Sequence, residues 1–136
     1  SMYAVAPVNA FYQPKMIVGE GAAEIEIDVS EKLFHSAGAM HGSVYFKMLD
    51  DAAFFAANSL EPDFFVLTTS FTTYLTRPVS GGRIKSVGKV VNSNKTQFIA
   101  EAVLYDEQGR ELGRGNGIFM RSKMPLAEVP GYSKQG

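Results

Sequence analysis

The alternation of apolar and polar positions predicts a chain made mostly of strands. Ile25, Ile27 and Val29 alternate with acidic residues, which is the period of two expected for a strand with one solvated face. Residues 65–76 are dense in β-branched and aromatic side chains and predict a second strand. Turns rich in Gly, Pro, Asn and Asp then separate three more predicted strands, at residues 84–91, 96–105 and 112–120.

A single helix is predicted between the first two of these strands, over residues 41–60, with Pro62 as its stop. This segment is apolar nearly all round, and a helix without a polar face is normally buried. It nevertheless carries Asp50 and Asp51. An ionised carboxylate in such a place is costly unless something pairs with it or uses it, so these two aspartates require an explanation.

The elements together predict one α+β domain over residues 1–136, with an antiparallel sheet packed on one helix. Residues 7–14 predict a short helix within an N-terminal extension (1–14), and residues 122–136 a C-terminal tail. Glycines recur at every second position of the last strand and so share one face. We expect another element, most naturally the helix, to approach that backbone closely; the glycines are Gly113, Gly115 and Gly117.

Composition narrows the classes of function. The net charge of −1 and the 46% hydrophobic content argue against a disordered chain and against a basic nucleic-acid-binding domain. The absence of cysteine excludes disulfides and thiol nucleophiles, and two histidines alone make a poor metal cluster. No apolar run approaches the ~20 residues of a membrane span, and no leader pattern is seen. We therefore expect a soluble, cytoplasmic protein without metal or membrane.

The two aspartates have different local surroundings. Asp51 lies four residues after Lys47, a spacing that predicts an ordinary ion pair on one helix face. Asp50 has Phe46 and Phe54 four residues before and after it, and no basic residue at a helix-neighbour position. It is either a carboxylate held by donors of a neighbouring element or a functional acid. Desolvation would raise its pKa and donated hydrogen bonds would lower it.

The predicted start of the helix offers donors for an anion. Gly42 lies where N–H groups lack intrahelical partners, and one such donor aimed at a developing oxyanion is worth ~3 kcal/mol. His41 is ~13 Å from Asp50 along a straight helix, so a substrate near both ends needs the sheet or a partner subunit to complete its pocket. His41 is either a base or, as we prefer, a residue that satisfies a backbone group. His35 is either a donor to a substrate carbonyl or an exposed loop residue.

Three segments stand out when they are taken in order. They are Gly38-Ala39-Met40-His41-Gly42-Ser43 followed by Leu49-Asp50, the strand from Thr68 to Pro78, and Asp106-Glu107-Gln108-Gly109 followed by the glycine-containing last strand. Together they resemble the hotdog-fold acyl-CoA thioesterases, in particular the phenylacetate-degradation thioesterase group. The resemblance covers about residues 15–121.

The resemblance implies a hotdog fold, in which the sheet wraps around one long helix, and hydrolysis of an acyl-CoA thioester. Asp50 takes the position of the catalytic carboxylate, as general base or nucleophile, and the Gly42-Ser43 backbone that of the groups that polarise the carbonyl. Thr68 takes the position of a hydroxyl residue supplied by the opposite subunit of a homodimer, which in turn pairs into a dimer of dimers in some relatives. Coenzyme A enters as part of the substrate, and no separate cofactor is implied.

The resemblance also indicates substrate contacts and two departures. Ser43 replaces a second glycine, and His35 stands where many relatives have an asparagine, so lower activity or a shifted substrate is expected. Basic residues near the pocket mouth would contact coenzyme A and apolar residues would line the acyl pocket, although each also fits a surface charge or a core position. They are Arg77, Arg83, Lys95 and Arg121, and Phe46, Phe54 and Phe71.

Two other functions stay open on the residues alone. A non-catalytic acyl-CoA-binding or regulatory protein would keep the pocket and lack turnover, in line with the departures at His35 and Ser43. A hotdog hydratase or dehydratase would need a catalytic histidine paired with an acid, and neither histidine lies in such surroundings in the sequence.

Overall fold

The computed structural model describes residues 15–30, 33–34 and 38–125, with side chains up to residue 122. The helix predicted at residues 7–14, His35 and the end of the chain lie outside this range. The elements, in chain order, are β1 (Lys15–Gly19), β2 (Ala22–Asp28), α1 (Gly42–Asn58), β3 (Phe64–Leu75), β4 (Arg83–Ser93), β5 (Gln97–Tyr105) and β6 (Glu111–Pro125).

All neighbouring strands are antiparallel, and the order across the sheet is β1-β2-β4-β5-β6-β3. The helix packs on one face of this sheet, so the predicted hotdog architecture is confirmed. The predicted helix and five strands are all present. Their ends differ most at β6, which continues to Pro125 by pairing with Phe64 and so takes up the first residues of the expected tail.

Strand β1 was not predicted from the sequence. This strand has five residues, forms one edge of the sheet and leaves Ile17 72% exposed, so it shows no alternation of buried and exposed positions. Its pairing with β2 depends on a tight turn at Glu20 and Gly21, where Gly21 has a φ of +72°. The glycine there was the available signal.

Small residues let α1 lie close to the sheet. Leu49, Ala52 and Ala53 are fully buried under it. On β4, a Cβ placed on Gly88 would lie 2.4 Å from the carbonyl carbon of Ala52, so the strand and helix backbones meet at this point. Here the hydrophobic side of the helix is held against the middle of the sheet.

The glycines of β6 have a different role from the predicted one. Added Cβ atoms on Gly115 and Gly117 would lie 2.5 Å from ring atoms of Phe71, which extends across both glycines from the neighbouring strand. Of the three, only Gly113 has helix side chains next to its added Cβ, with Tyr45 Cδ2 at 3.3 Å. The predicted close approach is correct, but at two of the three positions the approaching group is a strand side chain.

A β-bulge in β3 decides which side chains face the helix. Thr68 pairs with Phe119 and Ser70 with Ile118, so Thr69 is an extra residue, and its hydroxyl donates to the Ile118 carbonyl at 3.0 Å. In a regular strand, positions three apart face opposite sides. Because the bulge shifts the alternation by one residue, Thr68 and Phe71 share the face toward α1.

Candidate active site

One side of α1 lies along β3, and we call this row of contacts the helix–β3 seam. Its helix members are spaced by four residues and therefore share a side of the helix. Four contacts define the seam: Gly42 with Leu75 (3.4 Å from an added Cβ to Cδ2), Phe46 with Phe71 (5.7 Å between ring centroids), Asp50 with Thr68 (2.9 Å) and Phe54 with Phe65 (5.6 Å between centroids).

Asp50 is the half-buried acid of this seam. Thr68 Oγ1 donates to Asp50 Oδ1 at 2.9 Å. Burial raises the pKa of Asp50 from 3.8 to about 6; the Thr68 hydrogen bond lowers it, the nearby charge of Asp51 raises it and that of Lys47 lowers it. A carboxylate with this pKa is mostly ionised at neutral pH and accepts a proton more readily than an ordinary aspartate.

Asp51 has the structural role predicted for it. Lys47 Nζ lies 2.6 Å from Asp51 Oδ2, and both side chains are largely shielded from solvent. The two adjacent aspartates therefore differ as expected: one belongs to an ion pair within the helix, and the other faces β3.

The origin of Thr68 corrects one expectation. Thr68 was expected to reach Asp50 from the opposite subunit, but the contact is made within one chain. The cause is local, because β3 follows α1 directly, lies beside it at the edge of the sheet, and carries the bulge that directs Thr68 toward the helix.

The start of α1 corrects a second expectation. His41 is the N-cap residue, and its Nδ1 accepts from Ser43 N–H at 3.0 Å and lies 2.8 Å from Ser43 Oγ. A cap side chain satisfies an N–H of the first turn. The Ser43 N–H, expected to polarise a carbonyl, is therefore occupied. The Gly42 N–H has no acceptor among the residues that the structure describes.

The two ends of this arrangement are too far apart to act together in one chain. Asp50 lies eight positions after Gly42, which is ~12 Å along the helix axis. A carbonyl oxygen bound at Gly42 and a carbonyl carbon attacked near Asp50 belong to the same group, so their partners must lie within a few ångströms of each other. We call Asp50 with Thr68 the acid half and the Gly42 N–H the donor half of the candidate site; within one chain they are too far apart to contact the same carbonyl group.

The four basic candidates separate into two pairs. Arg83 donates to Glu26 and Asp28 at 2.8 and 2.7 Å. Arg121 Nε lies 2.6 Å from the buried Glu61, and its guanidinium covers the Phe98 ring at 4.1 Å. These two arginines hold parts of the fold together.

The other two, Arg77 and Lys95, are exposed and form no ion pair within the described part of the chain. Arg77 lies near the donor half, because Leu75 covers Gly42 and the Tyr45 hydroxyl donates to the Arg77 carbonyl at 2.6 Å. It also lines a surface cleft of about 260 Å³ between residues 77–83 and the turn at 106–110. Lys95 lies in the β4–β5 turn.

The three aromatic candidates differ in their solvent exposure and in their ring contacts. Phe46 is 42% exposed and meets Phe71 edge-on. Phe71 also contacts Phe119, at 6.3 Å between centroids. Phe54 contacts other aromatic rings, with Phe55 at 4.9 Å between centroids, and is a partly buried residue that packs against the core at the end of the seam. Leu75 left no signal in the sequence, because its contact with Gly42 depends on the helix-to-strand register.

Other chemistry has little support in the described residues. His41 bonds to Ser43 and to no acid, unlike the histidine of a hydratase or dehydratase. No group of three or more His, Cys, Asp or Glu side chains converges as a metal site in these ranges. None of the helices that can be described is long and apolar enough to cross a membrane.

Several solved structures are similar to the structure of this chain. PaaI of the Escherichia coli phenylacetic acid degradation operon has a TM-score of 0.84 and 19% identity, covering 91% of this chain and 90% of its own. A mutant of the phenylacetic acid degradation protein PaaI from Thermus thermophilus has a TM-score of 0.78 and 20% identity, covering 85% and 99%. A conserved Pseudomonas aeruginosa protein has a TM-score of 0.82 and 20% identity, covering 88% and 97%. These likenesses show the fold.

A search of curated proteins found no match. The family model of the thioesterase superfamily matches residues 37–112, which include α1, β3 and β4 and thus both Gly42 and the Asp50–Thr68 pair. This match extends over more than half of the chain. The chain therefore belongs to the thioesterase superfamily.

Proposed function

We propose that this protein hydrolyses acyl-CoA thioesters with Asp50 as the catalytic carboxylate. The observation that carries the proposal is the half-buried Asp50, whose pKa is about 6 and whose carboxylate accepts a hydrogen bond from Thr68. Membership of the thioesterase superfamily supports thioester hydrolysis as the kind of reaction. Perturbed acids of this kind are frequent at catalytic sites.

Two routes are open to the ionised carboxylate. As a general base, Asp50 takes a proton from water while the water oxygen adds to the thioester carbon. As a nucleophile, it forms a mixed anhydride that water then hydrolyses. In either route the C–S bond breaks, the thiolate of coenzyme A leaves and takes up a proton, and the acyl group departs as a carboxylic acid. Thr68 holds the carboxylate in place.

We further propose that the working site lies between two copies of the chain. The acid half and the donor half are ~12 Å apart in one chain. The outer edge of β3 has no neighbouring strand among the described residues, although β3 has 12 residues and leaves Leu67 and Tyr74 about half exposed. Such an edge invites pairing with another chain. A two-fold axis at β3 runs the strands antiparallel and brings Gly42 of one protomer toward Asp50 of its partner.

Arg77 and Lys95 are the proposed contacts for the phosphate groups of coenzyme A. Both are exposed cations outside the ion pairs of the described fold, and Arg77 lies close to the donor half, where the thioester would be bound. Phe46 and Phe71 are the proposed acyl contacts. Phe46 is the more open of the two and lies one helix turn from Asp50.

The test is hydrolysis of a panel of short, medium-chain and aromatic acyl-CoAs by the wild type, Asp50→Asn and Asp51→Asn. Asp51→Asn is the matched control, because it removes the adjacent carboxylate, whose partner is Lys47. We expect Asp50→Asn to lose turnover by a factor of ~10² or more while still binding the substrate, and Asp51→Asn to stay near wild type at neutral pH. Equal activity of Asp50→Asn and wild type would exclude the mechanism.

The occupied Ser43 N–H favours one second candidate, a non-catalytic acyl-CoA-binding or regulatory protein. An oxyanion site with fewer free backbone donors stabilises a tetrahedral intermediate less well. Binding of panel members without hydrolysis of any of them would support this second function over the first.

A further inference from the structure

The first half of β3 has no alternation that would fix its register. Residues 64–70 are four apolar residues followed by three hydroxyl residues. A slip of one residue exchanges the two faces of a strand, and the exposure of apolar side chains normally prevents it. In a regular pairing without the bulge, Thr69 would take the place of Thr68, and Leu67 that of Val66. Because each exchange is between similar side chains, the hydrophobic pattern selects the register only weakly.

A side-chain hydrogen bond at the bulge belongs to the bulged pairing. The pairing with β6 places Thr69 between Thr68 and Ser70 as the extra residue. Thr69 Oγ1 donates to the Ile118 carbonyl of β6 at 3.0 Å. In a regular pairing the Thr69 side chain would stand roughly perpendicular to the sheet, toward α1 and away from the β6 backbone. This hydrogen bond therefore favours the bulged pairing over the regular one.

The bulge also decides which threonine faces Asp50. In the bulged pairing it is Thr68, whose Oγ1 donates to Asp50 Oδ1 at 2.9 Å. This hydrogen bond lowers the pKa of Asp50, against the larger effect of burial. The charges that act on Asp50 in the described part of the chain are those of Asp51 and Lys47, both on α1, and no residue of β3 is charged. β3 therefore acts on the ionisation of Asp50 through Thr68.

We propose that Thr69 is a positioning residue of the candidate site, which holds the bulge of β3 through the Ile118 carbonyl and thereby directs Thr68 to Asp50. This inference rests on the proposed function, because it concerns the same carboxylate. The Thr69 side chain bonds to β6 and not to Asp50, so it acts through Thr68. Without the Thr69 hydroxyl, the bulged pairing loses a hydrogen bond that the regular pairing does not have.

Removal of the Thr69 hydroxyl tests the proposal. Thr69→Val keeps the shape of the side chain, but it should weaken the bulge and with it the hydrogen bond from Thr68, so the pKa of Asp50 should rise. A ¹³C titration of the Asp50 carboxyl, assigned by its absence in Asp50→Asn, measures this pKa directly. The rise of kcat/KM with pH should move to higher pH in parallel.

Two further substitutions at this position show whether the hydroxyl is responsible. Thr69→Ala also lacks the hydroxyl and should shift the Asp50 titration in the same direction as Thr69→Val. Thr69→Ser keeps the hydroxyl and should titrate as the wild type. An Asp50 titration that Thr69→Val and Thr69→Ala leave unchanged would overturn the proposal, as would a Thr69→Ser titration shifted as far as that of Thr69→Val.

Thr76→Val is the matched control. Thr76 follows β3 directly, is exposed, and its Oγ1 also donates to a β6 carbonyl, that of Glu111 at 3.4 Å, but at a place without a bulge. Its loss should leave the Asp50 titration unchanged, and a shift equal to that of Thr69→Val would overturn the proposal.

A double variant tests whether Thr69 acts through Thr68. If it does, the two substitutions are not additive, and Thr68→Val/Thr69→Val should titrate as Thr68→Val alone. Shifts that add in the double variant would overturn the positioning role.

The carboxyl titration needs no substrate, so it separates a failure of this inference from a failure of the proposed function. The expected shifts in a protein that hydrolyses no acyl-CoA would support the role of Thr69 and remove the thioesterase function. Hydrolysis by the wild type, together with an Asp50 titration that Thr69→Val leaves unchanged, would keep the function and overturn the role of Thr69.

Discussion

Asp50 gains its basicity from the place that α1 and β3 give it. Burial raises its pKa to about 6, and the hydrogen bond from Thr68 acts in the opposite direction. The hydroxyl thus opposes the effect of burial and favours the ionised form of the carboxylate. Neighbouring Asp51 lies in the same helix turn but pairs with Lys47, so its charge acts on the site only from a distance.

The pH dependence of activity should follow the ionisation of Asp50. Only the ionised carboxylate accepts a proton or attacks, so kcat/KM should rise as the pH increases through about 6 and level off above it. Thr68→Val removes the hydrogen bond that lowers the pKa, so this rise should move to higher pH. Asp51→Asn removes a charge that raises the pKa of Asp50, so its rise should move to lower pH.

Full pH profiles of kcat/KM for the three proteins check this expectation. A Thr68→Val profile displaced to lower pH, or superimposed on that of the wild type, would contradict the role given to the hydrogen bond. The Asp51→Asn profile is the control for the direction of the shift, because it should move to lower pH than the wild-type profile, whereas the Thr68→Val profile should move to higher pH.

The exposed arginine near the donor half should act on substrate binding and the paired arginine should not. We expect Arg77→Ala to raise the KM for acyl-CoA severalfold at nearly unchanged kcat, because it removes an exposed cation that we propose contacts the phosphates. Arg83→Ala is the matched control, since Arg83 is paired with Glu26 and Asp28. The KM of the wild type should also rise with salt, since exposed charges are screened. Equal KM values for the two variants would remove Arg77 from the substrate contacts.

For the secondary-structure elements, the sequence predicts the helix and most of the strands. It does not predict how these elements pack and pair with one another. The alternation around Ile25 predicts β2, and the apolar segment at residues 41–60 predicts α1. Both are predictable because burial of a strand face or of a whole helix produces a recognisable pattern of apolar positions. The bulge at Thr69 produces no pattern in the sequence, since an extra residue is defined only by the pairing of β3 with β6. β1 was also not predictable in this way, because this short edge strand has no alternation of apolar and polar residues.

The contact between α1 and β4 depends on a glycine, and a substitution there should be costly. A Cβ on Gly88 would lie 2.4 Å from the Ala52 backbone, so Gly88→Ala should force the helix away and lower the free energy of unfolding by roughly 2–3 kcal/mol. Gly19→Ala is the control, because nothing lies within 4 Å of its added Cβ. It should change the free energy of unfolding by less than about 0.5 kcal/mol. Denaturant unfolding of both variants measures the difference, and similar values would contradict the packing described.

At the scale of the whole molecule, the fold class and the acid of the candidate site were predictable, but the distribution of site groups between chains was not. Asp50 could be identified because it lacks a local partner in an apolar helix. The sequence could not show that Thr68 reaches Asp50 within its own chain, since this depends on the bulge and on the position of β3 at the sheet edge. Nor could it show that His41 occupies the Ser43 N–H, because capping geometry decides that.

Dimers that contain two different variants can distinguish a site formed between two copies of the chain from a site within one chain. Gly42→Pro removes the free N–H at the first helix position, where proline is tolerated, and the extended His41 before it, with φ −63° and ψ 144°, suits a following proline. Asp50→Asn disables the other half. Each variant alone should be nearly inactive as a folded dimer, with the state checked by its mass in solution.

When the two variants are unfolded, mixed in equal amounts and refolded together, half of the dimers should contain one chain of each kind. Each mixed dimer then has one intact site, so activity should return to about a quarter of the wild-type value. If both halves acted within one chain, no chain in the mixture would be intact. Mixed dimers that form but remain as inactive as the parent variants would therefore exclude a site shared between two chains.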